Sequence, residues 1–230
     1  MEQLVKLKIQ PNKNIKVICC LPGSNYSREF LINWSEFLME SLNSNISIII
    51  SQQYDPVIYY VRNKCLGGDV LRGIHQKPFD GKLDYDFLMW IDSDIMFDFK
   101  SFKKLLDHNL NIVSGIYLVE GGRNFASVIN WDTDFFLKHG YFKFLTQEDI
   151  KGKTGLIEVA YTGFGFILIK RGVFESLEYP WFQPVFQKLK DNIQDFSSED
   201  ASFCELARKN GFKIYVDPTV RVGHKKSFIY

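Results

Sequence analysis

Cysteine is scarce in this chain and unpatterned. Cys19, Cys20, Cys65 and Cys204 form no CxxC pair and no framework spacing. That excludes a disulfide-stapled scaffold and suits reduced, buried thiols in a cytoplasmic protein. Long apolar runs are missing too. None approaches the ~18 residues a spanning helix needs, so no integral membrane segment is expected. The opening residues, MEQLVKLKIQ, lack the apolar stretch of a secretory signal. Nor does one sign of charge dominate: 28 Lys and Arg stand against 27 Asp and Glu. No global field draws in nucleic acid, and the pairs Lys103-Lys104 and Lys225-Lys226 read as solvated surface. With no internal repeat and no Pro/Ser-rich linker, residues 1–230 read as one domain. The one excess is aromatic, 16% of residues with 21 Phe, and composition alone assigns those rings to a core rather than to a stacking site.

Periodicity sketches the elements. Lys16 to Leu21 is an apolar strand stopped by Pro22-Gly23, and Phe30, Leu31, Trp34, Phe37, Leu38 and Leu42 then recur at helical spacing behind a Ser27 cap. Ile46 to Ile50 is the next strand, and Asp55-Pro56 opens a helix reaching about Leu66, with Asp as its cap and Pro at its first position. Phe87 to Ile91 is a buried strand, Phe102, Leu105 and Leu106 mark a helix, and Ile112 to Val119 is another strand. The pattern from about Val128 to Phe144 is mixed. Leu156 to Tyr161 and Phe166 to Ile169 read as strands, Phe203, Leu206 and Ala207 as a helix face closed by Gly211, and Lys213 to Val216 as a strand, with a second at Val220 to Val222. Alternating strands and helices predict an α/β domain, its mostly parallel sheet becoming mixed toward the C-terminus.

Chemistry concentrates at a few places. Asp92-Ser93-Asp94 leaves the end of a buried strand, where open α/β sheets bind ligands. Two such carboxylates repel each other unless a cation joins them, and Mg²⁺ or Mn²⁺ prefers oxygen ligands. The competing reading is a turn in which Asp94 caps the next helix. Thr162-Gly163-Phe164-Gly165 allows close approach to backbone, or is an ordinary hairpin. Ser197 to Asp200 fits a capping box, although a carboxylate at a helix start also serves as a general base. His224 ends the last strand and can complete a cation site, and Arg62 suits phosphate but is more often surface. Gly152-Lys153-Thr154 is no P-loop, because Gln147 stands where the motif needs Gly. A haloacid-dehalogenase-type phosphatase is disfavoured by Met96 after the aspartates and by their place on the third strand rather than the first.

Together, WIDSDIMF (Trp90 to Phe97), YTGFGFILIKRGVF (Tyr161 to Phe174), SSEDASFCELARKNGFKIYVD (Ser197 to Asp217) and VGHKK (Val222 to Lys226), preceded by YVRN (Tyr60 to Asn63), resemble a GT-A-type, family 2-like glycosyltransferase over about Lys16 to Lys226. The resemblance implies a Rossmann-like single domain with helices on both faces, a nucleotide-binding half over about 16–110 and an acceptor and catalytic half over about 111–226. It implies Asp92 and Asp94, with Ser93 between them, as the DxD motif, and Asp92, Asp94 and His224 around Mn²⁺ or Mg²⁺. Asp200, with Glu199 beside it, matches the base of inverting members. Pro22, Gly23, Asp55, Arg62, Gly163 and Gly165 match positions near the donor. The partners implied are a nucleotide-diphospho-sugar donor and a carbohydrate or glycoconjugate acceptor. Gly121 to Gly155 matches nothing in that family, which places acceptor choice there, and Trp131 and Trp181 are candidates to pack on sugar faces. A stand-alone domain of this kind suits a bacterial or viral glycan pathway. Two alternatives are a sugar-nucleotide nucleotidyltransferase, disfavoured by the lysine-free CLPGSNYSRE after the first strand, and a non-catalytic carbohydrate-binding protein on the same fold.

Overall fold

A computed structural model describes residues 14–119 and 121–226. The chain order is β1 (Ile15–Pro22), α1 (Arg28–Asn43), β2 (Ile46–Gln53), α2 (Ile58–Cys65), β3 (Phe87–Ile91), β4 (Ile95–Met96), α3 (Phe99–His108), β5 (Ile112–Ile116), β6 (Ser127–Val128), α4 (Thr133–His139), α5 (Gln147–Ile150), β7 (Ile157–Val159), β8 (Tyr161–Thr162), β9 (Phe166–Lys170), β10 (Phe186–Lys190), β11 (Ile193–Phe196), α6 (Glu199–Lys209), β12 (Ile214–Arg221) and β13 (Gly223–His224). The central sheet has seven strands in the order β2-β1-β3-β9-β5-β12-β7. β2, β1, β3, β5 and β12 point one way, while β9 and β7 run against their neighbours. The sheet is thus mostly parallel, and both antiparallel strands come from the second half of the chain. β9 does not extend an edge; it is inserted between β3 and β5.

Strand alternation explains why both faces are covered. In β1, Val17, Cys19 and Leu21 face a core shared with Phe30 and Phe37 of α1 and Phe102 of α3. Ile18 and Cys20 face the other, with Val61 of α2 and Phe203 and Ala207 of α6. Most aromatic residues serve these cores: Phe37 meets Phe97 and Phe102 on one face, and Phe164 meets Trp90, Phe182 and Phe203 on the other. All four cysteines are buried and free. Among the described residues no helix is long and apolar enough to cross a membrane.

Several elements depart from the sequence reading. α2 begins at Ile58, with Val57 in the cap position and no side-chain cap. Asp55 instead accepts the Val57 N–H at 2.9 Å, closing a turn before the helix, and pairs with Lys64 at 2.6 Å. No capping box forms at Ser197 to Asp200. Ser198 is the cap residue, Ser197 bonds Ser202 at 2.6 Å, and Asp200 takes the Ala201 N–H at 2.8 Å. Lys213 to Val216 and Val220 to Val222 join in one strand, β12, whose register against β5 shifts between Val216 and Arg221. The strand expected to reach Val119 stops at Ile116.

β12 is anchored just where it turns toward the last strand. Asp217 is buried and accepts from Thr219 N–H at 2.8 Å and pairs with His108 Nε2 of α3 at 2.8 Å. Burial works to raise this carboxyl, but the bonds from Thr219 and His108 outweigh it and hold it below the usual carboxylate range. A folded-state pKa below the unfolded one stabilises the fold above the unfolded value of about 3.9 and loses that contribution as pH falls through it. Asp217→Asn should therefore cost roughly 1–3 kcal/mol at pH 6, and in thermal melts its gap from wild type should narrow below about pH 4.

Candidate functional site

The site forms where β1, β2 and β3 end together. Gly23 donates its N–H to the Gln53 carbonyl at 2.9 Å, tying the first two ends. Its φ is +136°, and an added Cβ there meets Ser93 Oγ at 3.1 Å, so the bare backbone lets the loop after β1 lie against the loop after β3. In that second loop the Ile95 N–H donates to the Asp92 carbonyl at 3.1 Å. The chain then continues as β4, which pairs with β13 so that His224 stands opposite Ile95. This short ladder brings residues 130 positions apart together: His224 Nε2 lies 3.0 Å from Asp94 Oδ2.

The two aspartates have different partners. Arg62 grips Asp92 as a fork, Nη1 to Oδ1 at 2.7 Å and Nη2 to Oδ2 at 3.0 Å. The competing surface reading of Arg62 is wrong, since it is 2% exposed. Its guanidinium lies 5.4 Å from the Trp90 ring centre and 5.3 Å from that of Phe164. Its Nε is buried without a hydrogen-bond partner and faces Glu199 Oε1 at 3.5 Å. Burial opposes the charge on Arg62, and Asp92 more than restores it, so its pKa is raised. Glu199 moves up as well, through burial first and repulsion by Asp200 second.

Asp94 is shared between His224 and Lys226, whose Nζ stands 2.9 Å from the same oxygen. Burial pushes this carboxyl up, but bonds from His224 and Lys226 prevail and bring it to about 2. The bond to Asp94 raises His224, against burial. Lys225-Lys226 is therefore not merely solvated surface: Lys226 serves Asp94 and Lys225 pairs with Glu29 at 2.6 Å. The His224 ring is oriented by its other nitrogen, 2.8 Å from the Leu118 carbonyl. With Nδ1–H donated there, Nε2 of the charged ring donates its own proton to Asp94 Oδ2, and loss of that proton would leave a lone pair facing the carboxylate. Of the three residues expected around a cation, Asp94 and His224 are in contact and could hold one in place of that proton. Among the described residues no group of three or more His, Cys, Asp or Glu is gathered to hold one, because Asp92 is turned to Arg62.

Gly163 and Gly165 serve a residue that sequence reasoning missed. A Cβ on Gly163 falls 2.1 Å from the Tyr117 hydroxyl, and one on Gly165 falls 2.8 Å from Tyr117 Cζ. The close approach these glycines permit is made by Tyr117, whose hydroxyl accepts the Gly165 N–H at 3.0 Å. The Gly165 carbonyl in turn accepts the Asp92 N–H at 3.0 Å. Nothing in the sequence marks Tyr117. Tyr161, also missed, does adjoin the glycine motif, and its hydroxyl donates to Asp200 Oδ2 at 2.9 Å.

The structure therefore links Arg62, Asp92, Asp94, Glu199 and His224, with Gly23 and Ser93 against them, Gly165 bonded to Asp92 and Asp200 next to Glu199. Pro22 ends β1 beside Gly23. No hydrogen bond or ion pair among the described residues ties Asp55 to the cluster. Trp181 is fully buried against Phe174 and Tyr179, so it packs the core and not a ligand. Trp131 is half-buried and lines a cavity.

No protein-family model matches the chain, and no curated protein matches it. Among solved structures, A197 from STIV aligns with a TM-score of 0.52 at 16% identity, covering 94% of this chain and 96% of that one. GalNAc-T7, solved with UDP, GalNAc and Mn²⁺, aligns with a TM-score of 0.50 at 14% identity, over 94% of this chain and 44% of that one. The inositol-1-phosphate CTP transferase from T. maritima aligns at 0.43 and 8% identity, over 94% and 91%, too distant to bear on the fold. The likeness is one of fold: a single α/β domain with a mixed, mostly parallel sheet, of the kind GalNAc-T7 uses over part of its length.

Proposed function

We propose that this chain transfers a sugar from a nucleotide-diphosphate donor to a hydroxyl acceptor. The observation that carries the reading is the meeting of Asp94 and His224 beside an Asp92 held by a buried Arg62, with Glu199 and Asp200 on the same cluster, at the carboxyl ends of the strands. GalNAc-T7, which shares the fold, was solved with a nucleoside diphosphate, a sugar and Mn²⁺, and this supports the choice of ligand class.

In this reading the loop at Pro22 and Gly23 receives the nucleoside, and Asp94 and His224 hold Mn²⁺ or Mg²⁺. A cation held there would supply positive charge to the leaving diphosphate. Arg62 fixes Asp92, which holds the DxD loop in place before the donor arrives. Asp200 accepts the proton of the acceptor hydroxyl as that oxygen attacks the anomeric carbon, and direct displacement inverts it. The Tyr161 hydroxyl holds the Asp200 carboxylate in place, and Glu199 sets the charge around Arg62. The nucleotide-binding half is about 16–110 and the acceptor and catalytic half about 111–226.

Ligand-induced stabilisation tests the donor side. UDP or another nucleoside diphosphate should raise the melting temperature in Mn²⁺, by about 2.7 kcal/mol of stability at one hundred times its Kd. Excess EDTA should abolish most of that shift, and so should Asp94→Asn. A shift of equal size in EDTA would remove the metal from the account.

A further inference from the structure

A cavity of ≈ 430 Å³ lies among α4, the β10–β11 hairpin and α6. Of these only α6 is marked by the sequence pattern. α4 falls in the segment with mixed periodicity, where Asp132 caps it through the Phe135 N–H at 2.8 Å. The hairpin pairs Phe186 with Phe196.

Its wall is aromatic. Trp131, Phe136, Phe142 and Phe196 line it, and Phe142 packs on Trp131 and Phe136 with ring centres 4.8 and 4.9 Å apart. Ala201 and Arg208 line it from α6. Two paths join it to the candidate base. Ser197 and Ala201, which flank Asp200 in the chain, are lining residues. The Trp131 ring also lies 5.9 Å from the Tyr161 ring, whose hydroxyl is bonded to Asp200. The volume is in the usual range for small-molecule sites, roughly 300–1,000 Å³. Most of its polar lining is self-satisfied, Gln187 and Lys209 both bonding Glu205 at 2.7 and 2.6 Å. Arg208, a lining residue as well, makes no side-chain hydrogen bond or ion pair among the described residues and acts on Glu205 only through its charge.

We propose that this cavity is the acceptor site. It takes a glycoside that lays one flat apolar face, a pyranose C–H face or an aryl aglycone, on Trp131, enclosed by Phe136, Phe142 and Phe196, with a free hydroxyl toward Asp200 and polar substituents toward Arg208. The proposal rests on the transferase reading, and binding can be measured without donor, metal or turnover.

Tryptophan fluorescence of the full chain is titrated with phenyl and methyl pyranosides of glucose, galactose and N-acetylglucosamine. Of the four tryptophans, Trp90 and Trp181 are fully buried and Trp34 packs on Phe30 and Phe37 against the other face of the sheet, so a saturable response should come from Trp131 and vanish in Trp131→Phe. Methyl glycosides acting as well as phenyl glycosides identifies the pyranose face, and phenyl glycosides acting alone identifies the aryl face. Either result supports the site. Phe136→Ala and Phe196→Ala should each raise the apparent Kd about tenfold or more. Phe196 is exposed, so its truncation keeps the test valid if Phe136→Ala folds poorly. A panel with no response, or a response unchanged in Phe196→Ala and Trp131→Phe, overturns the proposal. Nucleoside-diphosphate binding to the wild type is measured in parallel and does not involve the cavity. If it is absent while glycosides bind, the transferase reading fails and the glycoside site stands. If it is present while glycosides ignore the cavity, only the acceptor proposal fails.

Discussion

Asp200→Asn should keep the fold and nucleoside-diphosphate binding while transfer falls about 10²–10⁴-fold, the usual worth of a general base. The variant separates two roles of one carboxylate. As a structural acceptor, Asp200 takes the Ala201 N–H at 2.8 Å on one oxygen and the Tyr161 hydroxyl at 2.9 Å on the other. Asn preserves the first bond through its carbonyl oxygen. Toward its amide, the tyrosine hydroxyl can rotate and accept. Stability should therefore change by under about 1 kcal/mol, whereas the proton acceptor is lost outright. Tyr161→Phe gives the calibration: it removes one bond to the carboxylate and leaves the base, so its loss of rate should be much the smaller. Transfer by Asp200→Asn at near wild-type rate, with product analysed by NMR for anomeric configuration, would reduce Asp200 to a structural acceptor and leave the inverting mechanism without its base.

Arg62→Met should be the most destabilising single change at the site, by about 3–5 kcal/mol in urea unfolding, because it leaves buried charge without its partner. Asp92 loses both bonds of the fork, and Glu199 loses the cation that offsets its burial. Arg62→Lys should recover little, since an ammonium cannot match a carboxylate with two parallel bonds or spread over the Trp90 and Phe164 rings. Arg62→Met combined with Asp92→Asn should cost less than the single change, because one of the two stranded charges is gone. A loss under about 1 kcal/mol for Arg62→Met would equate the pair with a solvent-exposed bridge.

The legible parts of the site were those carried by local pattern. FLMWI predicts a buried strand, and Asp92-Ser93-Asp94 at its end could be read as a ligand loop because sheet ends in this fold class are where ligands bind. What sequence could not supply was the partner of each charge. Arg62 sits on a short helix whose periodicity gives no sign that a guanidinium rather than an apolar residue turns inward. Asp92 then goes to Arg62 and not into a three-ligand cluster. Tyr117 explains Gly163 and Gly165, yet it lies just after β5 and more than forty positions away, beyond the reach of any local motif. Asp55 shows a subtler limit. Asp-Pro suits a helix start, but the same carboxylate closes a turn from Asp55 to Val57, directly before the helix begins at Ile58. The β10–β11 hairpin was missed because Phe186, Ile193 and Phe196 are all exposed, so its apolar residues do not report burial. Trp181 misled in the opposite sense, a ring suited to a sugar face that the fold spends on its core.

The most direct test of the central claim is product analysis by NMR, with the wild-type chain, Mn²⁺ and a panel of nucleotide-diphospho-sugars, in the presence and absence of glycoside acceptors. The account predicts that one donor is cleaved to nucleoside diphosphate, that an acceptor diverts the sugar from water into a new glycoside, and that EDTA stops both. Failure of every donor to be cleaved, or consumption instead of a sugar phosphate with a nucleoside triphosphate to release pyrophosphate, would contradict it.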